Sequence, residues 1–316
     1  MSRLVTAADA ARLGGGDVIA AMRDVRACLQ LLRRREAGMP AEISVPLSEQ
    51  AGGQARAYAL PAWLGDPFDV VGMKWTAHRQ LRPAGAPAAV SVTLVNDRHT
   101  GDMLGMVESD LLTVTRTAAV SALALQALRL DGSRPIAVLG AGAQAHAHLR
   151  MLAAVFPGHP VRLWNRTAEI GRRLCEDDHA AWSGSIESAL DGAAAVLCCT
   201  AAPQPILQAR HMRPDLSVLQ IGYHEVSFDA IDTFAHIAVD LWGPFSETSA
   251  KSLFKMYRAG RIRPRRVCAD LAAIALDRWQ PPSDSALYFS SFGLNLFDVA
   301  LATRILKLAR LEGSAA

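Results

Sequence analysis

Hydrophobic positions change their spacing along the chain, and each change marks an element. From Ala7 to Arg35 they recur at helical intervals, with Val18, Ile19, Met22, Val25, Cys28 and Leu29 on one face, so the chain opens with helices. From Ile43 to about Asp97 the texture is that of strands: short apolar runs (AYALPAWLG, FDVVGMKWTA, AAVSVTLVND) are cut by Gly, Pro and the turn dipeptide Asn96-Asp97. An Ala- and Leu-rich helix follows from about Leu112 to Leu130 and stops at Asp131-Gly132.

Beyond that point strands and helices alternate. Strands are predicted at 135–139, 161–164, 194–199, 217–222 and 235–241, with helices over Gln144 to Val155 and Ala168 to Ala181. This order predicts an α/β fold with a doubly wound parallel sheet of the Rossmann type. A last helix, Leu294 to Leu311, is set off by Pro281-Pro282. Two domains are expected: an α+β domain over 1–119, to which the last helix over 294–316 returns, and a nucleotide-binding domain over 120–293.

Composition narrows the classes. Of 316 residues 51% are hydrophobic and 20% charged, and 33 Lys+Arg stand against 30 Asp+Glu. The basic runs Arg33-Arg34-Arg35, Arg172-Arg173 and Arg261 to Arg266 lack interleaved aromatics, so they read as solvated faces and no nucleic-acid partner is expected. No apolar run reaches the length of a membrane span, and the N-terminal residues lack a signal-peptide pattern, which points to a cytoplasmic protein. The five cysteines show no CxxC spacing, so neither a disulfide framework nor a metal site is predicted.

The chemistry begins at Gly140-Ala141-Gly142-Ala143-Gln144-Ala145, a G-x-G-x-x-A run placed directly after a predicted strand and opening a helix. Gly140 permits the tight turn, Gly142 lets a pyrophosphate approach the backbone, and Ala145 lets helix and sheet pack closely. The helix N-terminus, from Ala143 and Gln144 onward, offers free N–H groups to the phosphates. The second strand ends Trp164-Asn165-Arg166-Thr167 without the acid that usually takes the ribose hydroxyls. Asn165 suits a hydroxyl, while Arg166 and Thr167 suit a 2′-phosphate, so NADP(H) is favoured over NAD(H). Thr200, after the third strand, lies where such folds contact the adenosine half or guard the cleft. His146 and His148, early in the nucleotide helix, are expected to face solvent or phosphate.

Lys74 lies inside an apolar strand, a placement that is costly unless the ammonium meets an anion. Arg116 begins the apolar helix leading into the nucleotide domain, where a guanidinium facing the interdomain cleft would grip a carboxylate, and Arg56 offers a third cation. Together these residues predict a small carboxylate-bearing substrate. Trp63, Trp75 and Phe292 hint at a pocket not built for a long cationic one.

The motifs Gly72-x-Lys74, Asp97-x-x-Thr100-Gly101, Thr115-Arg116-Thr117-Ala118-Ala119 and Gly140-x-Gly142-x-Gln144-Ala145 occur in one order over most of the chain. In this the sequence resembles the ornithine cyclodeaminase/mu-crystallin family. The resemblance implies a homodimer that interconverts amino acids with imines or keto acids, with 1–119 completed by 294–316 as substrate and dimerisation domain, Lys74, Arg116 and Arg56 on the substrate carboxylate, and Thr117 and Gly293 among the cofactor contacts. Trp164 to Thr167 is similar to the NADPH-binding mu-crystallin and ketimine reductase branch. The tail Tyr288 to Leu294, followed by Asp298, looks like dehydrogenases of siderophore diaminopropionate synthesis.

Where cyclodeaminases and the siderophore dehydrogenases carry an Asp after the fourth strand, this sequence reads Gly222-Tyr223-His224-Glu225. His224 is the candidate proton carrier, with Glu225 to orient it. The expected activity is therefore an NADPH-dependent imine or ketimine reductase or amino-acid dehydrogenase, in which Lys74 also polarises the reacting group. A cyclodeaminase-type ammonia lyase and a catalytically silent NADPH-binding protein are the alternatives.

Overall fold

The computed structural model describes residues 3–47, 55–78, 89–178, 180–282 and 285–315. The chain forms two compact units, Met1–Arg116 with Leu294–Ala316, and Thr117–Gly293.

The first unit is built from β1 (Arg3–Val5), α1 (Ala7–Arg12), α2 (Val18–Arg34), β2 (Ala37–Gly38), β3 (Ile43–Pro46), β4 (Arg56–Leu64), β5 (Val70–His78), β6 (Ala89–Asp97) and β7 (Met103–Glu108). The start of α3 (Asp110–Gln126) and the final helix α10 (Asn295–Ala315) complete it. The sheet runs β1-β7-β6-β5-β4-β2, with β3 also on β4, and is antiparallel except for β1 beside β7. Helix α2 starts on an Asp17 cap that accepts from Ala20 N and ends at Arg35 in the left-handed conformation. Its buried stripe holds Val18, Ala21, Met22, Val25, Cys28 and Leu29. Ile19, expected on that face, is instead exposed, because a step of about 100° from Val18 carries it off the stripe.

Helix α10 packs across β4, β5, β6 and β7 on one side and against α2 on the other, which explains its apolar residues all round. The approach is close enough at β5 to require glycine: a Cβ on Gly72 would lie 2.7 Å from Leu94 O and 2.9 Å from Val299 Cγ1. Registers place Pro61, Met73, Leu94 and Met106 in one cross-strand row and Ile43, Ala59, Trp75, Val92 and Glu108 in the next, on the sheet face away from α10. Apart from Glu108 at the β7 end these positions are uncharged, and Ile43 and Trp75 are exposed.

The second unit carries the parallel sheet: β8 (Ile136–Leu139), β9 (Val161–Trp164), β10 (Ala181–Trp182), β11 (Ala195–Cys198), β12 (Ser217–Gln220), β13 (His236–Val239), β14 (Val267–Asp270) and β15 (Leu287–Ser290). Its helices are α4 (Ala143–Val155), α5 (Ala168–Asp178), α6 (Ile186–Leu190), α7 (Phe228–Asp232), α8 (Ser252–Arg258) and α9 (Leu271–Asp277). The strand order is β10-β9-β8-β11-β12-β15-β13-β14, every pair parallel. From β8 the chain moves first to β9 on one side and later to β11 on the other, so the topological switch point lies at the carboxyl ends of β8 and β11.

The sequence pattern places the five predicted strands but not the remaining three. Helix α5 stops at Asp178 rather than Ala181, and Ala181–Trp182 pairs with β9 instead; position 179 lies outside the described residues. The long helix ends at Gln126 rather than Leu130. Among the described residues no helix is long and apolar enough to cross a membrane.

Replacing Gly72 by Ala forces β5 and α10 apart. Gly72→Ala is expected to lower unfolding stability by about 2 kcal/mol, read as a fall in the denaturant midpoint.

Candidate active site

In the first unit Lys74 and Arg116 converge on one carboxylate. Lys74 Nζ lies 3.0 Å from Asp298 Oδ2, and Arg116 Nε lies 3.3 Å from the same oxygen. Thr113 Oγ1 donates to Asp298 Oδ1 at 3.0 Å. Lys74 is 3% exposed and Asp298 fully buried, so these are charges held away from water. Burial pushes the Lys74 ammonium below its ordinary pKa, and Asp298 opposes that shift. Burial also works against the Asp298 carboxylate, but Arg116 and Lys74 outweigh it and hold its pKa below the usual value. Two cations thus share one carboxylate, and the charge of Asp110 also favours the Lys74 ammonium.

Arg116, the candidate grip for a carboxylate, is buried and sits on Asp298 within the first unit. Arg56 is not part of the cluster. It lies farther along the same sheet face, opposite His78, with its guanidinium on Ser44 (Nη2 to Oγ 2.8 Å). Asp298 was quoted from the sequence only as part of a motif. Its signal was available: a lone acid within FDVALA, an apolar helical stretch, needs buried cations just as Lys74 needs an anion.

The second unit carries the nucleotide fingerprint. Gly140 has φ 114°, and a Cβ there would lie 2.5 Å from Cys199 O, so only glycine fits where the loops after β8 and β11 meet. Gly142 caps α4, yet a Cβ on it would meet no protein atom within 4 Å, and no side chain caps the helix. The protein itself does not require glycine at 142 and leaves the first N–H groups of α4 without a side-chain acceptor, which fits a pyrophosphate laid on Gly142, Ala143 and Gln144. Ala145 is buried as predicted for close helix–sheet packing. Asn165 Nδ2 donates to Thr167 O at 2.9 Å, which shapes the turn after β9, and Arg166 and Thr167 are exposed there.

His148 corrects an expectation. It is fully buried, with Nδ1 2.7 Å from Gln144 O and Nε2 2.8 Å from Ser121 Oγ, and burial lowers its pKa to about 4. It is a neutral packing histidine that ties α4 to α3. His146, by contrast, is exposed.

Glu225 also behaves differently from the expectation. It turns inward, fully buried, and its Oε1 accepts from Thr200 N at 2.7 Å and Thr200 Oγ1 at 3.1 Å. Burial pushes its pKa up to about 7, against the opposing pull of the Thr200 amide and Lys251. Glu225 therefore clips the loop after β11 to the turn after β12; it does not orient His224. His224 is half-buried, with Nδ1 2.9 Å from Ser252 Oγ and its ring edge-on to Phe228. Burial, then the charge of Lys255, lowers its pKa. Its loop is braced by Lys251, whose Nζ donates to Ile221 O and Gly222 O at 2.5 and 2.7 Å.

Thr117, assigned to the cofactor by resemblance, is buried in α3. Gly293 has φ 96° and donates its N–H to Asp240 Oδ2 at 2.6 Å. The three aromatics have packing roles of their own: Trp63 lies under Arg98, Trp75 is on the open sheet face, and Phe292 stacks on Phe245. Among the described residues no cluster of His, Cys, Asp and Glu could hold a metal ion.

The profile described as the ornithine cyclodeaminase/mu-crystallin family matches residues 17–310. The chain belongs to that family. It is 29% identical over 230 residues to the NAD(P)H-dependent anabolic L-arginine dehydrogenase DauB of Pseudomonas aeruginosa, covering 70% of this chain and 73% of that one. Ketimine reductase mu-crystallin of Mus musculus is 30% identical over 148 residues, 46% of this chain and about half (47%) of the mouse protein. Delta(1)-pyrroline-2-carboxylate reductase of Thermococcus litoralis, solved with NADH and L-proline, superimposes with a TM-score of 0.86 over 98% of each chain at 20% identity, a likeness of fold.

Asp298→Asn removes the carboxylate that Lys74 and Arg116 share. It is expected to destabilise the protein by about 3–5 kcal/mol, because two buried cations lose their partner; chemical unfolding of the variant against the parent measures it.

Proposed function

We infer that the protein is an NAD(P)H-dependent oxidoreductase acting on the C–N bond of an amino or imino acid. The observation that carries this reading is the buried Lys74–Asp298–Arg116 cluster, two cations on one carboxylate, in a chain that also bears a nucleotide fingerprint. The named relatives act at C–N bonds: an arginine dehydrogenase and a ketimine reductase.

In this reading the first unit binds substrate and the second binds cofactor. Arg116 and Lys74 hold the substrate carboxylate and so orient its α-carbon, the contribution of position rather than of new chemistry. Lys74 also polarises the reacting carbon–nitrogen group. The bound nicotinamide supplies or takes the hydride. Asn165, Arg166 and Thr167 support NADP(H) over NAD(H), since the exposed guanidinium and hydroxyl suit a 2′-phosphate and no acid follows β9 to repel it. His224 serves the substrate nitrogen. A reductase or dehydrogenase is favoured over a cyclodeaminase by the histidine that stands in place of that group's Asp.

The functional assembly is a homodimer in which the sheet faces bearing Ile43, Met73 and Trp75 of two copies meet. Two-fold pairing makes this mainly apolar patch serve both sides, with Glu108 at its β7 edge.

Loss of NADPH absorbance is expected with cyclic imino acids or with keto acids paired with amines, and more slowly with NADH; NADPH binding without oxidation on the whole panel would overturn the reading. Arg166→Ala is expected to raise KM for NADPH about ten- to a hundredfold while leaving KM for NADH within about twofold, as befits one charge-assisted phosphate contact. Sedimentation should give a dimer for the parent chain and a monomer for Trp75→Glu, and a monomeric parent would refute the assembly.

A further inference from the structure

A chain of hydrogen bonds behind His224 has a direction that one atom fixes. Gln220, fully buried at the end of β12, donates through Nε2 to Tyr223 O at 3.0 Å and to Ser252 Oγ at 3.2 Å, while its Oε1 accepts from the Tyr288 hydroxyl. A carbonyl oxygen can only accept, so Tyr223 O decides which way the amide lies; turned over, Gln220 would set oxygen against oxygen. Ser252 Oγ is therefore an acceptor toward Gln220. The one acceptor that remains for its own proton among the described contacts is His224 Nδ1, 2.9 Å away. The backbone holds the same geometry from the other side, because Ser252 N donates to Tyr223 O at 2.8 Å. A neutral imidazole carries one N–H, so if Nδ1 accepts, Nε2 must hold the proton.

We propose that Gln220 and Ser252 are positioning residues that lock His224 in the Nε2–H tautomer, so that its free ring nitrogen is a hydrogen-bond donor and not a base. Nε2 has no hydrogen-bond partner among the described residues. The use of that donor rests on the proposed function. When hydride adds to the carbon of an iminium, the C=N π pair becomes a lone pair on nitrogen; the new C–H bond takes the hydride pair and no proton changes place. A donor at Nε2 is matched to that emerging lone pair and gains strength only as the pair develops. The ring also remains a donor when protonated, so protonation does not invert its role.

The test is the ring itself. In the full chain labelled with 15N-histidine, and assigned by the signals lost in His224→Gln, a long-range proton–nitrogen correlation at a pH where the ring is neutral should show Nε2 protonated and Nδ1 bare. Ser252→Ala should draw the two nitrogen shifts toward each other as the tautomers mix, and Ser252→Thr should restore the separation. A protonated Nδ1 in the parent, or unchanged shifts in Ser252→Ala, overturns the lock. In the reductase assay Ser252→Ala should lower kcat about three- to tenfold with KM for NADPH unchanged, the size of one neutral hydrogen bond. A locked ring in a protein that reduces no imine would sink the functional reading and leave the tautomer assignment standing.

Discussion

Two cations and one carboxylate, all out of water, set the terms for the first unit. Lys74 and Arg116 are tolerable in that interior only because Asp298 meets both, and Asp298 is there only because the last helix is laid across the sheet. Gly72 is the steric counterpart of the same arrangement, since a side chain at that point of β5 would hold α10 away and loosen the ion contacts. Packing and electrostatics are thus one constraint, because the helix that closes the core also delivers the carboxylate.

The second unit solves a different problem, that of keeping several loops still at the carboxyl edge of a parallel sheet. Backbone contacts too close for any side chain join the loops at Gly140 and Gly222, and buried polar groups hold them: Glu225 on Thr200, Lys251 on two carbonyls, Asp240 on Gly293 N–H. These are groups whose removal would leave unsatisfied partners in the interior, so the loops are fixed by the penalty for letting go. What is left without internal partners at the N-terminus of α4 is what a phosphate needs.

Much of this was legible from the residues alone. The G-x-G-x-x-A run was readable because its strand, turn and helix lie within a few residues of one another, and Lys74 was readable because a charge in an apolar strand contradicts its surroundings. The misreadings have physical causes. Asp298 is remote from Lys74 in the sequence, and no local spacing encodes a contact made by the far end of the chain. His148 looks like a surface residue in a helix rich in small side chains until Ser121, on another helix, supplies its partner. Glu225 follows His224 directly, which invited a pairing, yet adjacent residues in a turn point apart, and one went into the core while the other stayed near the surface. Strand β10 has only two residues and shows no period, while β14 and β15, as long as the strands that were read, are placed by neighbours already in position.

The route of the chain gives the ion cluster a further property. The nucleotide unit is inserted into the first unit, entered within α3 and left just before α10. On a ribosome, Lys74 and Arg116 emerge early and wait, unmatched, while the whole parallel sheet is synthesised; Asp298 comes last. The first unit therefore lacks both its last helix and the carboxylate its buried cations share until the inserted unit is already made, so the insertion acts as a timer, ordering the completion of the two halves.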